Sequence, residues 1–163
     1  MRYSNRSNRI PKLVLKDANI IFSNFAGKET KFTPEGKRSF TVEIPNPEVV
    51  DQMKGDGWNI RVLPAREGYD EDDRYVIDVN VSYKVAAPIV ELISSKGVTE
   101  IGEDEIKMLD WAEVDKIDLV INPYKYDFGG RTGIKGYLDH MQVWLTEDGL
   151  DRVGDPEDEP MPF

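Results

Sequence analysis

Apolar residues in this chain recur mostly at every second position, which predicts half-buried β-strands. Leu13 to Leu15, then Ala18 and Ile20 to Phe22, predict a long first strand with a bulge near Asp17. Phe40, Val42 and Ile44 alternate with Ser39, Thr41 and Glu43, and Trp58, Ile60 and Val62 alternate with Asn59 and Arg61. Tyr75, Ile77, Val79, Val81 and Tyr83 form the strictest alternating run. Further strands are expected at Ile89 to Ile93, at Ile117 to Ile121 with Pro123 as its stop, and at Ile134 to Leu145. Asn46 followed by Pro47 reads as the capped start of a short helix that uses Val49, Val50 and Met53 and ends at Gly55. Ile106, Met108, Leu109 and Trp111 predict a second helix over 102–112. The stretches 24–36 and 124–133, rich in Gly, Pro and aromatics, read as loops. Six or seven strands and two short helices, with no βαβ alternation, predict a mainly β fold: a small antiparallel barrel or sandwich.

The length of 163 residues suits one domain with a tail. Residues 1–11 read as a flexible basic arm, 12–146 as the folded domain and 147–163 as an acidic tail. With no cysteine, a disulfide framework, thiolate metal ligation and a cysteine nucleophile are excluded. The single His140 excludes any site built on two histidines. No apolar run approaches the length of a membrane-spanning helix, and no apolar core follows Met1 to Arg6 as in a signal peptide. No phosphate-binding loop, dinucleotide fingerprint or nucleophile elbow is present. The acid runs Asp70 to Asp73 and Glu103 to Glu105 match no calcium loop. No enzyme, cofactor or metal is expected, although a nuclease using Asp72 or Asp104 is the catalytic alternative.

The net charge of −10 is unevenly spread. Residues 1–38 hold nine Lys/Arg against three acids, while residues 147–163 hold seven acids against Arg152 alone. Aromatic residues recur beside the cations. One group is Phe22, Phe25, Lys28, Lys31, Phe32, Lys37 and Arg38; a second is Trp58 with Arg61; a third is Tyr124, Lys125, Tyr126, Phe128 and Arg131, followed by Lys135 and Tyr137. Rings to stack on and cations along a groove are what single-stranded nucleic acid requires of a partner without base preference. Phe40, Tyr75 and Trp144 are expected in the core.

The chain ends Asp155-Pro156-Glu157-Asp158-Glu159-Pro160-Met161-Pro162-Phe163. Acids before a short apolar tip can compete for a basic groove, and a terminal ring with its carboxylate can be captured in a pocket. This tail resembles the acidic, Pro-Phe-ending tip of bacterial single-stranded DNA-binding proteins. The body is similar to bacteriophage single-stranded DNA-binding proteins built on an OB-fold, through Lys12 to Phe22, the Asn122-Pro123-Tyr124-Lys125-Tyr126 segment and the strand from Tyr137 and Leu138 to Val143. The resemblance implies a five-stranded barrel with extra elements that binds single-stranded DNA across its face and between its loops. It also implies that Asp155, Glu157, Asp158, Glu159, Pro162 and Phe163 recruit replication, recombination or repair proteins in the cytoplasm of the infected host. A monomer and a homodimer both stay open, and no membrane partner is expected. The long Gly/Gln-rich linker of the bacterial pattern is missing. The competing reading is an acidic β-rich interaction protein, a DNA mimic or an assembly component.

Overall fold

The computed structural model of the protein describes residues 3, 10–31, 34–65, 68, 72–84 and 87–146. Nine strands make up the described fold: β1 Leu13–Leu15, β2 Ile20–Asn24, β3 Arg38–Glu43, β4 Arg61–Leu63, β5 Arg74–Val81, β6 Ile89–Ser94, β7 Gly97–Ile101, β8 Val114–Phe128 and β9 Arg131–Leu145. One α-helix, α1, spans Pro47–Asp56, and a 3-10 turn spans Ile106–Asp110. No described helix is long and apolar enough to cross a membrane.

The main sheet runs β1-β8-β9-β5-β3-β2. Its two ends belong to one stretch of chain. β1 pairs β8, β2 pairs β3, and only Lys16 to Asn19 separate them. The Ala18 amide bonds to the Ile117 carbonyl on β8, while the Asn19 carbonyl accepts from the amide of Glu43 at the end of β3. Asp17, with φ 51°, makes the bend between the two pairings. The expected bulge is therefore a break, and the pairings follow the circuit of a five-stranded Greek-key barrel: β1/β2, β3, β5, β9, β8. β5 and β9 run parallel and the other pairs in the circuit are antiparallel. β4 adds to β5, and the β6–β7 hairpin adds to β9.

Alternation puts Phe40, Val42, Ile77, Val79, Leu119 and Ile121 inside. A register shift between Val120 and Ile121 skips Asp139, so the inward parity of β9 changes from Ile134 and Leu138 to Met141 and Val143. Val50 and Met53 of α1 join this core. Asn46 accepts from the Glu48 amide, Pro47 occupies the first turn, and Gly57 (φ 103°) closes the helix two residues beyond the expected Gly55.

Three expectations are corrected. The strand at Ile117 does not stop at Pro123 but continues to Phe128, and the aromatic loop 124–133 is mostly a β-hairpin. Past Ile121 β8 has lost its β1 neighbour, so a proline there removes no ladder bond on that side. The helix expected over 102–112 is only the short 3-10 turn, preceded by the unexpected β7. Trp144 is half-buried, with Lys116 Nζ 4.1 Å from its ring centroid.

Candidate functional site

The β8–β9 ribbon turns at Gly129 and Gly130, whose φ values of 61° and 81° give the twist of a two-residue hairpin turn. Residues directly opposite on antiparallel strands share a face. The pairs Asn122–Tyr137, Tyr124–Lys135, Tyr126–Gly133 and Phe128–Arg131 therefore collect four rings and two cations on one side of the arm. Tyr124 and Tyr137 meet edge to face at 5.5 Å. Lys135 Nζ lies 5.0 Å from the Tyr126 ring centroid. Tyr126 and the Asn59 side chain are hydrogen-bonded, at 3.0 Å from Nδ2 to Oη. Gly133 makes room for this arrangement, since a Cβ there would lie 2.5 Å from the Tyr126 hydroxyl and 2.6 Å from Asn59 Oδ1. Phe128 is 84% exposed and Tyr124 51% exposed. Exposed Lys125, on the opposite face, lines a cleft with Asp56, Gly57, Asp127 and Thr132.

The register carries the same outer surface across the sheet. Tyr137 pairs Asn80 on β5, Asn80 pairs Ser39 on β3, and Ser39 pairs Asn24 on β2. In the adjoining row Asp78 pairs Thr41, and Thr41 pairs Phe22, whose ring is 58% exposed. Asp78 would repel a polyanion on this surface. Arg61 grips it with Nε and Nη2, each at 2.8 Å, and Thr41 Oγ1 donates to it at 2.6 Å. The hydrogen bonds to Asp78 hold the Arg61 guanidinium above its ordinary pKa.

The 25–37 connection from β2 to β3 borders this surface. Asn24 bonds both the amide and the carbonyl of Lys28, at 3.0 and 2.9 Å, and the Gly36 amide closes the neck on the Gly27 carbonyl at 2.7 Å. Lys28, Lys31 and Lys37 are exposed.

Two proposed stacking rings are in the core instead. Phe25 is 2% exposed and packs on Phe40 at 5.4 Å. Trp58 is 5% exposed, bonds Tyr3 Oη through Nε1 at 3.0 Å and meets the Tyr3 ring edge-on. A buried ring offers no face to a base. Tyr3 also donates to Asp56, and burial, then that bond, raises its pKa above the ordinary tyrosine value. Arg38 is half-buried and committed to the Phe25 carbonyl at 3.1 Å and to Glu103 at 3.2 Å. Phe32, Asp155, Glu157, Asp158, Glu159, Pro162 and Phe163 lie outside the described residues, as does most of the basic arm.

The structure brings together Phe22, Arg61, Tyr124, Tyr126, Phe128, Arg131 and Lys135, with Lys28, Lys31 and Lys37 on the bordering loop. Sequence reasoning missed Asn59, Thr41 and Asp78. A lone acid on the polar side of the strictest strand was the available signal for Asp78. Among the described residues no three His, Asp or Glu side chains are grouped so as to hold a metal ion.

A family model described as a phage ssDNA-binding domain matches residues 4–155. No curated protein matches the chain. Among solved structures, the single-stranded DNA-binding protein from bacteriophage Enc34 in complex with ssDNA is similar at a TM-score of 0.53 and 12% identity, covering 83% of this chain and 87% of that one. A C-terminal truncation of the Enc34 protein gives a TM-score of 0.51 at 12% identity, covering 83% and 86%.

Proposed function

The chain belongs to the family of phage ssDNA-binding domains, and from this premise we propose that it binds single-stranded DNA without base preference and protects it during phage replication, recombination or repair. The observation that carries this reading is the single face of the hairpin arm on which Tyr124, Tyr126, Phe128 and Tyr137 alternate with Arg131 and Lys135. Stacking tolerates any base because every base has a π-face, and the cations track the phosphates. The barrel circuit supports the same path. OB-folds bind oligonucleotides over strands 2 and 3 and with the loops between strands 1 and 2 and between 4 and 5. Their counterparts here are β3, β5, the 25–37 loop and the arm. No catalysis is required of this surface. The tail from Asp155 to Phe163 recruits partner proteins in the host cytoplasm, and its acids compete with DNA for the cations.

Titration of labelled oligo-dT and a matched duplex, at low and high salt, tests this with the full chain and a version ending at Val153. Single strands are expected to bind more tightly than duplex. Log K should fall with log salt at a slope of about −2 to −4, if three to five cations each neutralise a phosphate. Loss of the tail should preserve or strengthen binding. Duplex binding without single-strand binding, or no binding by either version, would defeat the proposal. The second outcome would favour the acidic interaction protein that the −10 charge suggests.

A further inference from the structure

Asp110, the last residue of the 3-10 turn, reaches across the fold to the start of the cationic loop. Its Oδ1 accepts from the Phe25 amide at 2.9 Å and from Ser23 Oγ at 3.2 Å, and its Oδ2 accepts from the Ala26 amide at 2.8 Å. The residues just before this turn grip the loop a second time. Glu103 holds Arg38, and Arg38 Nε donates to the carbonyl of Phe25. The Phe25 amide and carbonyl are thus tied to side chains anchored in residues 103–110, while the ring is locked in the core. Lys28 and Lys31 follow these ties and Lys37 precedes β3, all three exposed.

We propose that Asp110 is a positioning residue for single-stranded DNA binding: it fixes the start of the β2–β3 connection at Phe25 and Ala26, so that Lys28, Lys31 and Lys37 meet the phosphates of a strand lying on the barrel face. The inference rests on the single-strand-binding reading. Cations held in place beforehand lose less entropy on binding than cations on a wandering loop. Electrostatics alone argues the other way. Asp110 is an exposed negative charge near the path of a polyanion, so neutralising it should strengthen binding if the residue had no other role. The two accounts therefore predict opposite signs.

The test compares the full chain with Asp110→Asn, which keeps the size and removes the charge. Amide hydrogen exchange without DNA should speed up at Phe25 and Ala26 by about tenfold, the cost of losing charge-assisted bonds. Oligo-dT affinity should fall several-fold. In a Lys28→Gln, Lys31→Gln, Lys37→Gln background, Asp110→Asn should cost nothing further, because the positioned groups are gone. Asp110→Glu, which keeps the acceptor charge, should recover part of the loss. Unchanged exchange, tighter binding by Asp110→Asn, or an equal loss in both backgrounds would each overturn the proposal. A wild-type chain that binds no oligo-dT would overturn the binding reading, and this role with it, even if exchange at Phe25 and Ala26 still reported the anchor.

Discussion

Gly133 and Phe128 occupy the same face of the arm, and their substitutions separate packing from binding. Gly133→Ala drives a methyl group into the Tyr126 hydroxyl and Asn59. The expected cost is about 1–3 kcal/mol of stability, as for other overpacked sites, with weaker oligo-dT binding as the ring is displaced. Thermal melting and titration of the same sample read both. Phe128→Ala removes a ring that packs on almost nothing. Stability should stay within about 0.5 kcal/mol of wild type, while binding loses about 1–3 kcal/mol if a base stacks there. A third residue-scale prediction concerns acid. The Glu91 carboxyl, 2.6 Å from His140 Nε2, is held below its ordinary value of 4.5, chiefly by that hydrogen bond. Its ionised form belongs to the folded state, so its contribution is complete above about pH 4.5 and is lost as pH falls through the lowered value. Melting curves over this range should be flatter for Glu91→Gln than for wild type. At this scale the chain was only partly legible. Adjacency of ring and cation singled out Tyr124, Tyr126, Phe128, Arg131 and Lys135, and that they share one face emerged only from the strand register. The same adjacency misread Phe25 and Trp58, because tertiary contacts with Phe40 and Tyr3 decide their burial.

Elements were most legible where one local rule dominated. Period-2 alternation located β3 and β5, and the Asn46–Pro47 pair located the start of α1. Asn46→Ala should cost about 1 kcal/mol, since the Glu48 amide loses its acceptor. In a chain of this size that is about 2–4 °C in Tm, measurable by calorimetry. Elements were misread where two rules conflicted. Pro123 signals an ending, yet it stands where β8 has already lost its neighbour on one side. Gly129 and Gly130 signal a loop, yet they are the two residues that a tight hairpin turn needs. β7, Gly97–Ile101, is an edge strand with only Ile101 buried, so its hydrophobic alternation is faint. The apolar spacing from Ile106 to Trp111 reads as helix, but only Ile106 is fully buried there, with Met108 and Leu109 packed at the core's edge, and a single 3-10 turn suffices.

The whole molecule combines a net charge of −10 with a candidate binding surface on which two acids, Asp78 and Asp139, have cation partners. Asp78 is covered by Arg61, and Asp139, beside Asn122, is paired with Lys12. Overall charge is therefore a poor guide to the partner, and the salt dependence of binding should report chiefly the cations along the strand's path. Uncovering one acid tests this. Arg61→Met should weaken oligo-dT binding more at low salt than at high salt, because bare Asp78 repels phosphates over a longer screening length. The division of the first apolar run into β1 and β2 carries a different consequence, one of timing. Leu13 pairs with Ile121, a separation of 108 residues. At about 5–20 residues added per second, β1 is synthesised about 5–20 s before its partner strand. In that interval β2 can pair β3, whereas β1 has only solvent or a chaperone. The circuit closes last, when the chain is nearly complete, so a nascent protein carries an unpaired apolar strand near its front until its aromatic arm exists.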